Sequence, residues 1–282
     1  MITGQCLCGS VSWQAEGPFT RMNHCHCSMC RKAHGAAFAS FTSSPVEGFS
    51  WTSETATIQQ YTSSPDFVRA FCSGCGSAVP QLKSDGQSMR LPVGPMDLPT
   101  PLREGRHIFV GSKAPWHIMP AGAETHDACP ADMDRKAVEV QPEHSGTNNT
   151  ALRGSCLCGE VTFAVSPPFT VVHNCHCSRC RRARAAAHAT NGFVALDAVT
   201  FHSGEGQISV YYLPDTGFGQ AFCQNCGSGL PRRNESRGIV NIPLASLDDD
   251  PGRGADDHIF TGSKSDWYDI GDDLPQFTEM PG

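Results

Sequence analysis

Three thiols within six residues, with a histidine between the first two, make a compact set of metal ligands. Cys25, Cys27 and Cys30 lie in "NHCHCSMC", and Cys175, Cys177 and Cys180 lie in "HNCHCSRC". Two further pairs flank each loop. Cys6 and Cys8 form C-x-C and Cys72 and Cys75 form C-x-x-C; Cys156 with Cys158 and Cys223 with Cys226 repeat them. Closely spaced thiols without a secretion signal read as metal ligands rather than as a disulfide framework. C-x-C joined to C-x-x-C across a long loop can close a four-thiolate zinc tetrahedron, so Cys6, Cys8, Cys72 and Cys75, and equally Cys156, Cys158, Cys223 and Cys226, are expected to form structural sites. The remaining three thiols of each set leave one coordination position for an incoming group, the arrangement of a catalytic or ligand-exchanging zinc. His26 and His176 are alternative fourth ligands. Their place between two ligating cysteines points them the other way along an extended segment, which favours a packing or supporting role.

The chain that carries these ligands is a tandem duplication of 282 residues. The first five cysteines of each set are offset by 150 positions and the last two by 151. "GQCLCGSV" recurs as "GSCLCGEV", "AFCSGCGSAVP" as "AFCQNCGSGLP", and "HIFVGSKAPW" as "HIFTGSKSDW". The extra residue is expected in a hairpin turn, where "YTSSPDFVR" faces "YLPDTGFGQ". Residues 1–120 and 151–282 are read as the two domains. Residues 121–150, with scattered charge, proline and "SGTNNT", are read as a linker that carries the unpaired Cys129. Alternating segments such as "SVSWQAEG", "GEVTFAVS", "ATIQQY" and "QISVYY" predict a mainly β protein with antiparallel sheets. A short helical turn is expected after Cys30 and after Cys180. Each half is small, so bound metal is expected to supply much of its stability.

Apolar residues make up 39% and charged residues 17% of the chain, with a formal charge of −7. No apolar run long enough to span a bilayer is present. The N-terminal "MITGQCLCGS" lacks the basic and apolar stretches of a leader, so a cytoplasmic location is expected. The acidic balance argues against nucleic acid as a partner.

Taken in order, G-x-C-x-C-G, C-H-C-x-x-C-R, F-C-x-x-C-G-S and H-I-F-x-G-S-K resemble the family of glutathione-dependent formaldehyde-activating enzymes and centromere protein V, over most of both copies. The resemblance implies a β-tent fold with two Zn²⁺ per domain, four per chain. It further implies a carbon–sulfur lyase that reversibly condenses glutathione with formaldehyde to S-hydroxymethylglutathione. Small-molecule thiol and aldehyde would then be the partners, and the three-cysteine sites of Cys25, Cys27, Cys30 and of Cys175, Cys177, Cys180 would be catalytic. Arg31 and Arg181, directly after those loops, are candidates for the carboxylates of glutathione. The alternative is a non-catalytic zinc module that binds a thiol ligand or a protein partner. The copies depart from the pattern in opposite ways. The first keeps Gly35 where the second has Ala185, whereas the second keeps the tail "DWYDIGDDLPQF" that the first replaces by "PWHIMPAGAETHD". The first copy's pocket is the favoured active one. The physiological aldehyde and thiol, and the oligomeric state, are not encoded in these motifs.

Overall fold

A computed structural model describes residues 1–97, 105–133 and 151–281. The protein is mainly β, with antiparallel sheets and two short helices. In the first half a four-stranded sheet runs Met96–Asp97, Ile2–Gln5, Ser12–Ala15, Phe49–Trp51. Alternation builds it: Trp13 and Ala15 are buried while Ser12 and Gln14 face outward. A second sheet runs Thr125–His126, Arg106–Ile108, Asn23–Cys25, Ala39–Pro45, Ser88–Pro92, Gln81–Leu82. Its central strands are covered on both faces, and Asn23–Cys25 is wholly buried. The second half repeats this plan, with Leu152–Ser155, Thr162–Val165 and Val199–Ser203 in one sheet. Arg232–Asn234, Ile239–Pro243, Ala189–Ala195, Val171–Cys175 and Asp257–Ile259 form the other.

The three-cysteine loop leaves the end of a buried strand and enters a helix of about two turns in each half, α1 (Ser28–His34) and α2 (Ser178–Arg184). Cys27 and Cys177 cap these helices, their sulfurs accepting from the N–H of Cys30 and Cys180. Both helices end on a left-handed residue, Gly35 at φ 58° and Ala185 at φ 48°. The second copy therefore keeps the backbone path without the glycine, at a cost of about 1–2 kcal/mol. The one-residue offset falls where expected: Ile58–Ser64 pairs with Phe67–Cys72 and Ile208–Tyr212 with Gly219–Cys223, and between the matched pairs Thr62–Val68 and Tyr212–Gly219 the chain runs one residue longer in the second copy.

Part of the expected linker belongs to the first copy's sheet. Thr125–His126 pairs in parallel with Arg106–Ile108, as Gln276 bridges in parallel to His258. The altered tail of the first copy thus takes the place of its counterpart despite the lost sequence likeness, because a parallel edge strand needs backbone groups and not particular side chains. Residues 134–150 of the expected linker lie outside the described residues.

The two halves interlock. Tyr61 and Trp116 pack on the second half's core, while Ala183, Ala187, Tyr211, Trp267 and Tyr268 belong to the first half's. Gly76, at φ 72°, lies against Phe222, and Gly227, also at φ 72°, lies against Phe71. Gln220 Nε2 donates to Cys75 O at 2.9 Å, and Lys32 Nζ donates to Ser155 O at 2.8 Å and pairs with Asp248. Between the halves lies a buried set of aromatic rings. His26, His107, Phe38 and His117 cluster on one side and His176, His188, His258 and Tyr268 on the other; across the boundary Phe38 meets His188 and Tyr268, and His117 meets His188, at centroid distances of 5.7–6.1 Å. Burial lowers the pKa of five of these imidazoles, those of His26, His107, His117, His176 and His188. His26 and His176 are pushed down to about 2, His188 to about 3 and His107 to about 4.

Candidate metal centres

The cysteines gather into four clusters: Cys6, Cys8, Cys72, Cys75; Cys156, Cys158, Cys223, Cys226; Cys25, Cys27, Cys30; and Cys175, Cys177, Cys180. Within each, the sulfurs lie within 4.8 Å of one another. In the first closed cluster Cys6 and Cys8 are 3.4 Å apart and Cys8 and Cys72 3.7 Å; in the second the matching distances are 3.3 and 3.7 Å. A disulfide requires about 2.05 Å. A tetrahedron of thiolates around zinc, with bonds of about 2.3 Å, has sulfur–sulfur edges of about 3.8 Å. The soft donor set and its spacing therefore fit zinc.

Loop backbone fixes the closed clusters. Val11 N–H donates to Cys6 Sγ at 3.4 Å and Val161 N–H to Cys156 Sγ at 3.3 Å. Ser77 and Ser228 tie the two knuckles to the C-x-C loops, their Oγ accepting from Leu7 N–H at 3.2 Å and Leu157 N–H at 3.1 Å. Crowded thiols cannot all ionise side by side without a cation. Hydrogen bonds from Cys175 and Cys180 hold Cys177 down at about 2, while contacts with Cys27 and Cys30, and then burial, push Cys25 well above the usual thiol range.

The three-cysteine clusters have sulfur separations of 3.5 Å (Cys25, Cys27) and 3.6 Å (Cys175, Cys177). Among the described residues no further Cys, His, Asp or Glu joins either set. His26 and His176 turn away: Nε2 of each meets Nδ1 of His107 or His258 at 2.8 Å. The "HIF" histidines were thus the missing partners of the "CHC" histidines, a pairing that only the recurrence of both motifs could have suggested.

A cavity of about 50 Å³ opens beside Cys30. Ala39, Phe41, Phe67 and Pro92 give it apolar walls, the second half contributes Cys226 and Gly227, and Arg69 and Arg90 supply charge. Arg69 is 7% exposed. Its Nη1 and Nη2 lie 3.9 and 3.8 Å from Cys30 Sγ, and its Nε donates to Ser63 Oγ at 3.0 Å. Arg90 lies over the Phe67 ring at 4.2 Å. Sequence reasoning missed both arginines. The signal was present in the duplication, because "FVRAFC" against "FGQAFC" places Arg69 opposite Gln220 on a strand that is otherwise kept.

The arginines singled out by sequence lie elsewhere on the same helices. Arg31 donates from Nε to His26 O at 3.3 Å and lines a cleft of about 140 Å³ with Ser28, Lys113, Trp116 and Asp248. Arg181 reaches Gly94 O of the first half at 3.5 Å.

A family model described as "Glutathione-dependent formaldehyde-activating enzyme" matches residues 1–112 and again residues 151–263. The chain belongs to the glutathione-dependent formaldehyde-activating enzyme family. Both matched segments contain a closed and an open cysteine cluster, so each copy carries the family's pattern on its own. A Halomonas elongata protein named "Putative glutathione-dependent formaldehyde-activating enzyme" is 32% identical over 130 residues, covering 42% of this chain and 80% of that protein. A Rhodobacter sphaeroides protein of known crystal structure is 24% identical, over 34% of this chain and 87% of that one, with a TM-score of 0.29. No helix among the described residues is long and apolar enough to cross a membrane.

Proposed function

We propose that the chain is a zinc-dependent carbon–sulfur lyase-type enzyme that forms and breaks a thiol–aldehyde adduct such as S-hydroxymethylglutathione. The open three-cysteine clusters carry the reading, since each offers three sulfurs and no fourth protein donor among the described residues. Family membership supplies the substrate class, glutathione and formaldehyde. Cys25, Cys27, Cys30 and Cys175, Cys177, Cys180 hold the catalytic ions, and the two four-cysteine sets hold structural ones, four Zn²⁺ per chain. Zinc held by three thiolates supplies an electrophilic position that favours an incoming thiol in its ionised form.

The surrounding residues do the remaining work. Arg69 donates to Cys30 and offsets the negative charge of the thiolate set, so a further anionic sulfur is less strongly repelled. Phe41, Phe67 and Pro92 keep bulk water from the cavity, which strengthens those interactions. Arg31 and Arg181, at the mouths of the loops, contact the carboxylates of the tripeptide. In the forward direction the sulfur lone pair forms the carbon–sulfur bond and the carbonyl π pair moves to oxygen. The thiol's proton ends on that oxygen, and the balance is closed without a further reactant. Holding both reactants together supplies effective concentration.

The test is exchange spectroscopy of ¹³C-formaldehyde and its glutathione adduct with and without the zinc-loaded protein. Acceleration is expected at catalytic protein concentrations. No change in exchange rate at stoichiometric protein would refute the enzyme reading and leave a thiol-binding zinc module. A cytoplasmic setting, with reduced thiols, suits this chemistry.

A further inference from the structure

The second half holds its own cavity beside Cys180, and its walls differ from those beside Cys30. It encloses about 20 Å³, room for one or two water-sized groups. Five polar atoms on its lining residues are buried without a hydrogen-bond partner: Arg184 Nη1, Arg232 Nε, Asn191 Oδ1, Gln220 Oε1 and Asn241 Oδ1. Buried polar atoms are normally satisfied, so five on the lining of one small cavity mark a place for a polar occupant. Arg184 is 7%, Asn191 7% and Gln220 3% exposed. No Asp or Glu lines the cavity among the described residues.

The duplication shows that the two linings differ. His34, Arg69, Gln81 and Arg90 of the first half stand opposite Arg184, Gln220, Arg232 and Asn241. Each cavity thus has two guanidinium groups, but at exchanged positions. Beside Cys30, Arg69 is engaged by Cys30 and Ser63. Beside Cys180, Nη1 of Arg184 and Nε of Arg232 have no such partner. Room for Arg184 is made by Gly229, where a Cβ would stand 1.9 Å from Nη1; its first-half counterpart is Ala78. Two guanidinium groups, Arg184 buried and Arg232 half-buried, with no carboxylate lining the cavity repel each other and favour an anion between them.

We propose that Arg184 and Arg232, with the side-chain amides of Asn191 and Asn241, form a carboxylate-binding site that selects an acid-bearing thiol at the second three-cysteine centre. This rests on the reading that the centre takes a thiol. The amides of Asn191 and Asn241 can present either oxygen or NH₂ to the ligand, whereas the NH₂ of Gln220 is already given to Cys75 O and Ala183 O; the arginines supply charge-assisted, fork-like donors. The cavity admits a single carboxylate and little more. Its polar lining, against the aromatic lining beside Cys30, makes the two halves selective for different acid-bearing thiols.

Calorimetry on the zinc-loaded full chain tests this with 3-mercaptopropionate and its neutral analogue 3-mercapto-1-propanol. The expected result is that Arg232→Gln weakens 3-mercaptopropionate about tenfold at one of two sites and leaves 3-mercapto-1-propanol unchanged. Arg184→His, which copies the first half's residue, should do the same, and Arg69→Gln should weaken the other site. The proposal is overturned if both second-half variants bind 3-mercaptopropionate within twofold of the parent, the cavity then holding water only, or if they weaken both thiols equally. If neither thiol binds the parent protein, the reading of the open centres as thiol sites falls with it.

Discussion

Replacing Gly76 by alanine tests whether the two halves form one cooperative unit. Two costs add. Gly76 sits at φ 72°, where an alanine costs about 1–2 kcal/mol. Its Cβ would also stand 2.4 Å from Cγ of Phe222, a fully buried ring of the other half, and such overpacking costs about 1–3 kcal/mol. The sum, about 2–5 kcal/mol, is a large share of the stability of an ordinary domain. Gly86 is the control: it has φ 66° with nothing within 4 Å of an added Cβ, so Gly86→Ala carries the backbone cost alone. Denaturant unfolding of the zinc-loaded protein, followed by tryptophan fluorescence and circular dichroism, should give one coincident transition. Gly76→Ala should lower its free energy by at least about 1 kcal/mol more than Gly86→Ala does. Equal losses in the two variants, or two separated transitions of which only one moves, would refute the interlocked arrangement.

Three further outcomes are expected. Elemental analysis of protein kept reduced and free of chelator should give four zinc ions per chain; a value of two would contradict two sites per half. Cys27→Ser should remove one ion with little loss of thermal stability, whereas Cys72→Ser should remove one and destabilise both halves, since structural zinc contributes on the order of 10 kcal/mol. Equal destabilisation by the two changes would contradict the division into closed and open sites. The buried histidines should make the protein acid-sensitive. With folded-state values pushed below the ordinary 6.5, the unfolded chain takes up protons first as pH falls, so stability is lost from about pH 6.5 downward toward about pH 3. Each such histidine contributes at most about 1.4 kcal/mol per pH unit, and His188→Phe should reduce the measured slope by that amount; an unchanged slope would show that His188 is already protonated in the fold.

The cysteine arithmetic was readable because ligand spacing is a local property. C-x-C, C-x-x-C and the three-thiol loop each lie within a few residues, and their recurrence sorted them into sites. The extra residue in the hairpin turn was readable for the same reason, since proline, aspartate and glycine mark turns by their own backbone preferences. What escaped was long-range. Nothing local to Arg69 says that its guanidinium reaches Cys30, and nothing near Arg184 says that Gly229 makes space for it. The partnership of His26 with His107 spans the whole first domain. The contact of Gly76 with Phe222 crosses from one copy to the other, and a repeat read as two separate beads gives no hint of it.

That reciprocal clasp has a genetic consequence. Were the halves encoded separately, like would meet like as readily as unlike, and each mixture would contain pairs with two identical pockets. Fusion in one reading frame guarantees that every molecule owns one of each. The two sides of the clasp can then differ, as Arg184 and Gly229 differ from His34 and Ala78, without either being tested against a copy of itself.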